Sequence, residues 1–227
     1  MLKVRAVSDK EAALFLFCFV YYRSIFFVSF SFFKYIIPFC LLIGACNGPK
    51  QTYSVRDLVN GKFKADSSYI YSIPFKTGKN VFVIQGYETP FSHKGERALD
   101  FKVKTGTLVC AAREGIVTSV RKDSDKGGLK PEYLSEGNYV IIRHADSSTA
   151  WYWHFKKDGV LVNEGDMVTD GQPIGYSGNT GYSAFPHLHF EVQGRDAAGN
   201  YTQLATRFYT REGAIYLRPL RFYRTRR

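Results

Sequence analysis

From about residue 81 onward, apolar and polar positions alternate with a period of two, and no stretch sustains the three-to-four spacing of an amphipathic helix. Runs at 81–84, 98–103, 108–111, 115–121, 138–144, 149–155, 159–162, 167–168, 172–175 and 186–193 read as strands. Asn163-Glu164-Gly165-Asp166 and Thr169-Asp170-Gly171-Gln172 read as hairpin turns, and Lys126-Gly127-Gly128 opens a longer polar loop. Short strands joined by glycine-centred turns predict an all-β fold, an antiparallel sandwich or a partly open barrel. The run 186–193 sends His187, His189 and Glu191 to one face and Leu188, Phe190 and Val192 to the other. In the run 149–155, the same rule puts Tyr152 and His154 on one face and leaves Trp151, Trp153 and Phe155 to pack on the other.

The N-terminal part follows a different pattern. Residues 12–45 are overwhelmingly Phe, Leu, Ile, Val and Tyr, broken by Arg23, a few serines and Lys34, so part of the run is long enough to span a bilayer. It ends in Leu42-Ile43-Gly44-Ala45-Cys46, which resembles the lipobox of bacterial lipoprotein signal peptides, cut before a cysteine that then carries lipid. Residues 1–46 are therefore expected to be a lipoprotein-type signal peptide with Cys46 as the lipidation site, or else an uncleaved membrane anchor. Either route delivers the rest of the chain outside the cytoplasm, to a bacterial envelope with the folded part facing the periplasm or exterior. The stretch before Lys34 exceeds an ordinary signal peptide and no second methionine occurs before Met167, which leaves the start codon open. Residues 47–67 read as a polar tether with a short helical turn near 54–60, residues 68–210 as the folded domain, and residues 211–227 as a basic tail.

Composition adjusts this picture in three places. With 227 residues, 45% of them hydrophobic, the chain can bury one sizeable core besides the leader. Its net charge of +11 is uneven: six arginines against Glu212 give +5 from residue 211 onward, which suggests attraction to an anionic polymer or surface. Nucleic acid is not favoured as that polymer, because no helix-turn-helix, zinc-finger or RNP-like pattern accompanies the charge. Of the four cysteines, Cys18 and Cys40 lie in the apolar leader and Cys46 in the lipobox, so only Cys110 is left in the folded part and no disulfide framework is expected. Cys110, in an apolar strand, reads as a small buried residue.

The candidate chemistry lies with the histidines. His187 and His189 offer nitrogen donors of the kind zinc prefers on one strand face. Asp100 sits among apolar residues on a predicted strand, where a carboxylate is costly unless it is paired or bound to a cation. His93 precedes it by seven residues, and His154 ends an aromatic strand. His144, at a strand end before Ala145-Asp146-Ser147-Ser148, reads as structural. Glu191 reads as a group that orients a histidine or as a strand-end charge.

Taken in order, these blocks resemble a known family: Gln85-Gly86-Tyr87, Ser92-His93-Lys94-Gly95, Ala98-Leu99-Asp100-Phe101, Asn138-Tyr139-Val140, Tyr152-Trp153-His154, Gly171-Gln172-Pro173-Ile174-Gly175, Gly178-Asn179-Thr180-Gly181 and Pro186-His187-Leu188-His189-Phe190-Glu191. The succession is similar to the lysostaphin-type (LytM-like) zinc metalloendopeptidases, which cut peptide bonds in bacterial peptidoglycan, and it covers residues 70–193. The resemblance implies that fold, one zinc ion, peptidoglycan peptides as substrate, His93, Asp100 and His189 as metal ligands, and His154 and His187 as the catalytic pair beside the metal. Tyr87 and Tyr152 read as candidate substrate-groove residues, with core packing as the other role open to each. The chain departs from the family's commonest pattern in one respect, since His93 and Asp100 are seven residues apart rather than four, and Glu96 falls inside the longer interval. A non-catalytic module of the same fold, binding cell wall or activating a separate hydrolase, is the alternative; such members typically lose ligands, and this chain keeps them. An unrelated His-x-His protein such as a cupin fits less well, because its glutamate falls farther along than Glu191.

Overall fold

The computed structural model describes residues 55–60 and 68–226. The apolar run 12–45 and Cys46 lie outside the described residues. Strands dominate, mostly antiparallel, as the period-two pattern predicts. In chain order the elements are helix α1 (Val55–Val59), then strands β1 (Ile70–Tyr71), β2 (Asn80–Gln85), β3 (Ala98–Lys102), β4 (Leu108–Cys110), β5 (Gly115–Arg121) and β6 (Gly127–Gly128). A 3-10 helix (Pro131–Glu136) precedes β7 (Tyr139–Arg143), β8 (Thr149–Trp153), β9 (Phe155–Val160), β10 (Met167–Val168), β11 (Pro173–Ser177), β12 (Gly181–Tyr182) and β13 (His187–Arg195). The last strands are β14 (Tyr201–Gln203), β15 (Arg207–Thr210), β16 (Gly213–Ile215) and β17 (Arg221–Arg224).

A nine-stranded sheet in the order β10-β5-β7-β8-β13-β3-β2-β17, with β14 added beside β13, forms the main layer. One face of it packs on two three-stranded sheets, β4-β11-β9 and β1-β15-β16. The core between them is aromatic: Phe190 meets Tyr71, Tyr152 and Phe208 at ring centroids 6.3, 5.1 and 5.9 Å apart, and Phe75 meets Phe101 at 5.5 Å. The other face of the sheet is where the histidines stand. Cys110 is buried, as expected of a small strand residue.

Three expectations change. The run 149–155 is not one strand. The chain leaves the large sheet after Trp153, passes through His154 in the left-handed region (φ +71°), and enters the smaller sheet at Phe155. The facing of β8 follows its own pairing: Trp153 opposite His189 puts Trp151 and Trp153, half-buried, on the histidine face, and Tyr152 is fully buried on the core face. Second, the expected tether is docked in part, since Val55 and Leu58, three apart and so on one helical face, join the core. Third, residues 211–226 are not a tail. The boundary expected at 210 cuts the β15–β16 hairpin, and β17 pairs with β2 as the outer strand of the large sheet. Tyr223 is buried, and the buried Thr225 donates to the Lys76 carbonyl. Arginines at Arg221 and Arg224 hid an alternating strand because edge strands characteristically carry charge.

Candidate metal centre and active site

Register across the large sheet assembles the site. Asp100 on β3 lies opposite His189 on β13, His189 lies opposite Trp153 on β8, and Trp153 opposite Tyr139 on β7. A bulge in the β2–β3 pairing brings Gln85 opposite Asp100. Residues directly opposite one another share a face, so Gln85, Asp100, His189, Trp153 and Tyr139 form one row over five strands.

His93 reaches this row from the loop between β2 and β3. That loop is closed by a backbone bond from Glu88 to the Glu96 carbonyl at 2.9 Å, and a turn bonds the Glu96 amide to the His93 carbonyl at 2.9 Å. The longer His93–Asp100 interval is thus spent within a closed loop, and the imidazole folds back over β3. Glu96 lines the cleft but is not part of the donor cluster. One donor atom each from His93, Asp100 and His189 lie within 4.8 Å of one another. His93 Nε2 is 3.2 Å from Asp100 Oδ2, and His189 Nδ1 is 3.0 Å from Asp100 Oδ1. Four ligands at ~2.0–2.1 Å around tetrahedral zinc stand ~3.3 Å apart, so these separations match two edges of that figure.

The far sides of these groups are held as a metal site requires. His93 Nδ1–H donates to the Gly86 carbonyl at 3.2 Å, which leaves Nε2 for the site. Gln85 Nε2 donates to Asp100 Oδ2 at 2.6 Å. Behind His189, Nε2 faces Glu191 at 3.8 Å, and Glu191 is itself held by Gln193 and Gln203. Burial alone would raise the Asp100 carboxyl, yet bonds from His189 and His93 and the charge of His189 hold it well below the usual range. Burial opposes protonation of His189, but Asp100 and Glu191 outweigh it and lift the imidazole to about 10. The two shifts describe one pair, a carboxylate against a protonated imidazole, in which a divalent cation would take the place of the proton.

His154 and His187 stand beside this trio with ring centroids 4.5 Å apart. His154 Nδ1–H donates to the Thr180 carbonyl at 2.6 Å, and His187 Nδ1–H to the Phe185 carbonyl at 2.8 Å. In each ring Nε2 therefore keeps its lone pair. Enclosure and the neighbouring His187 and His189 push His154 down to about 3, and burial lowers His187, partly countered by Asp100. Two neutral imidazoles are thus available as proton acceptors at neutral pH. The cleft around them has a volume of about 470 Å³. Phe91, Leu129, Leu134 and Tyr182, all exposed, form its walls.

The structure brings His93, Asp100, His154, His187 and His189 together, but not the two tyrosines. Tyr87 is buried with its hydroxyl bonded to Thr206, and the Tyr152 hydroxyl accepts the Ala112 amide at 2.8 Å in the core. The aromatic residue that does line the cleft on β8 is Trp153, put there by its register opposite His189. His144 is structural, its Nδ1 bonded to the Glu114 carbonyl at 2.7 Å. Sequence reasoning missed Asn138 and Thr180. Fully buried Asn138 bonds Ser124 through both ends of its amide and donates to the Phe155 carbonyl, while its backbone N–H donates to Thr180 Oγ1 at 3.0 Å. Thr180 Oγ1 donates to the same Phe155 carbonyl at 2.7 Å. This web fixes the carbonyl that holds His154. The available signal was a polar residue opening an apolar strand and a threonine within a glycine turn.

Comparison with known proteins places a family match over the residues that build the cleft floor. Residues 93–201 match the sequence profile of peptidase family M23. Over 98 residues, 42% of this chain, the protein is 39% identical to the peptidoglycan DD-endopeptidase ShyA of Vibrio cholerae, of which the match covers 20%. Lysostaphin of Staphylococcus simulans is 39% identical over 94 residues, 41% of this chain and 17% of the relative. The solved catalytic domain of that lysostaphin is 33% identical over 50% of this chain and 78% of its own, with a TM-score of 0.37. The matched segment thus spans only about a fifth of each of the two full-length relatives.

Proposed function

Because the chain belongs to peptidase family M23 through the domain at residues 93–201, we propose that it is a zinc metalloendopeptidase hydrolysing the peptide cross-links of bacterial peptidoglycan. The observation that carries this reading is the juxtaposition of three mutually close donors, His93, Asp100 and His189, with two neutral imidazoles, His154 and His187, on the floor of one cleft. A zinc ion held by those donors would supply Lewis acidity to a peptide carbonyl and to water. The protein's own part is orientation and proton movement. The cleft walls hold an extended peptide across the floor. Nε2 of His154 or of His187 takes the proton of the attacking water and returns it to the leaving amine. Thr180 and Phe185 keep both rings in the tautomer that allows it. ShyA's name makes a D,D cross-link the first substrate to try. The leader at residues 1–46, through Cys46 lipidation or as an apolar anchor, would hold the enzyme in the cell envelope.

The test uses the full chain. Wild type should bind one equivalent of zinc, melt at lower temperature after chelation, and release cross-link fragments from purified sacculi. His189→Ala should lose all three. Equal release by both proteins would refute the assignment, and zinc binding without release by wild type would favour a non-catalytic wall-binding module. Loss of membrane fractionation in Cys46→Ser would support the lipid anchor; retention would leave the apolar anchor in its place.

A further inference from the structure

The arginine-rich C-terminus forms a surface that the catalytic reading does not use. β17 and β2 both lie outside the residues that match the family. Their register with the strands of the site is continuous: Phe222 lies opposite Phe82, Phe82 opposite Lys102, and Lys102 opposite His187. These four side chains therefore share one face, the face of the site. Two residues along the same face of β17 stands Arg224, opposite Asn80. Phe222 is 74% exposed and rests against the half-buried Phe82 with ring centroids 4.8 Å apart. Lys102 is exposed, sits 4.0 Å above the ring of the cleft residue Phe185 and donates to the Pro186 carbonyl at 3.4 Å. Beyond Arg224, the turn carrying Arg211 and Glu212 closes a second cleft of about 360 Å³ against Phe222 and Asn80. Among the described residues no ion pair engages Lys102, Arg221 or Arg224. Three strand spacings, ~14 Å, separate β17 from β13, so an occupant of the edge lies beside whatever occupies the cleft.

We propose that this edge, Phe222 and Arg224 with Phe82 and Lys102, holds the glycan strand whose peptide lies in the cleft. Sugar rings stack on the exposed aromatic faces, and carboxylates of the attached peptides pair with the free cations. Two features of the edge select a wall polymer over an anionic lipid surface: it is coplanar with the site, and the cleft and the shelf meet at Lys102 and Phe185. The proposal rests on the hydrolase reading for the identity of the polymer, but not for the binding itself.

The experiment compares wild type with Phe222→Ala/Arg224→Ala and with Arg224→Glu, each confirmed folded by its melting profile, in three assays. Sedimentation with purified sacculi should weaken about tenfold in the double variant, the loss expected for one aromatic contact and one exposed charge together. That binding should also fall with added salt. Hydrolysis of a small soluble cross-linked peptide should be unchanged, and Phe222→Tyr/Arg224→Ala should recover the part of sacculus binding that Phe222→Ala/Arg224→Ala loses with the ring. Unchanged sacculus binding in both variants would overturn the proposal, as would loss confined to anionic phosphatidylglycerol vesicles. Wild type that cleaves no peptide but binds sacculi through these residues would refute the hydrolase reading and support the shelf.

Discussion

His154 carries a structural cost that can be measured. Its φ of +71° puts a residue with a side chain in the left-handed region, which costs roughly 1–2 kcal/mol relative to glycine. The strain persists because the residue changes sheets there and because Nδ1–H is held on the Thr180 carbonyl at 2.6 Å. His154→Ala removes that bond, a loss of about 1 kcal/mol, together with the ring's packing, but keeps the strain. His154→Gly removes the same contacts and relieves the strain, at a cost of roughly 0.4–1 kcal/mol for the freer unfolded chain. The difference favours glycine by about 0.5–1 kcal/mol, which reverses the order expected within a strand. Urea denaturation of the two variants reads it directly, with Thr149→Ala and Thr149→Gly as an extended-strand control in which alanine is the more stable. Both His154 variants should lose cross-link hydrolysis, so the more stable protein is as inactive as the less stable one. An alanine variant equal to or more stable than the glycine variant would refute the claim that the site's geometry is maintained against backbone strain.

Two further perturbations test other parts of the fold. Burial lowers His144 to about 4, whereas an unfolded histidine takes up its proton near 6.5; the stability due to its neutrality is therefore complete above about pH 6.5 and drains as pH falls toward 4. The loss amounts to about 3 kcal/mol, and the pH dependence of denaturation should flatten by that amount over this window in His144→Gln; parallel profiles would contradict the assignment. At Gly181, with φ +81°, an added Cβ would lie 2.7 Å from the Gly137 Cα, so Gly181→Ala meets both left-handed strain and backbone contact at the cleft wall. It should destabilise the protein by about 2 kcal/mol or more and reduce hydrolysis, and wild-type stability in this variant would show that the strand pair β6–β12 shifts freely.

Sequence and structure divide the explanation along physical lines. Period two along residues 81–193 was enough for an all-β fold, because a strand's facing depends only on its own alternation. The same rule oriented His187, His189 and Glu191, and the cost of burying Asp100 among apolar residues marked it as a ligand or an ion-pair partner. The rule failed at His154 and around Tyr152, since the left-handed residue ends the alternation, so that His154 does not share a face with Tyr152, and neighbouring residues give no sign of it. It failed again at β17, where charge outweighed a short alternation whose buried members, Tyr223 and Thr225, find their partners some 140 residues earlier in the chain. Which residues could supply a metal and a base was legible from residue type. That His93, Asp100 and His189 converge, that Glu96 does not join them, and that Asn138 and Thr180 hold the neighbouring histidine were decided by strand register and loop closure. Those depend on pairing between distant segments, which no local pattern encodes.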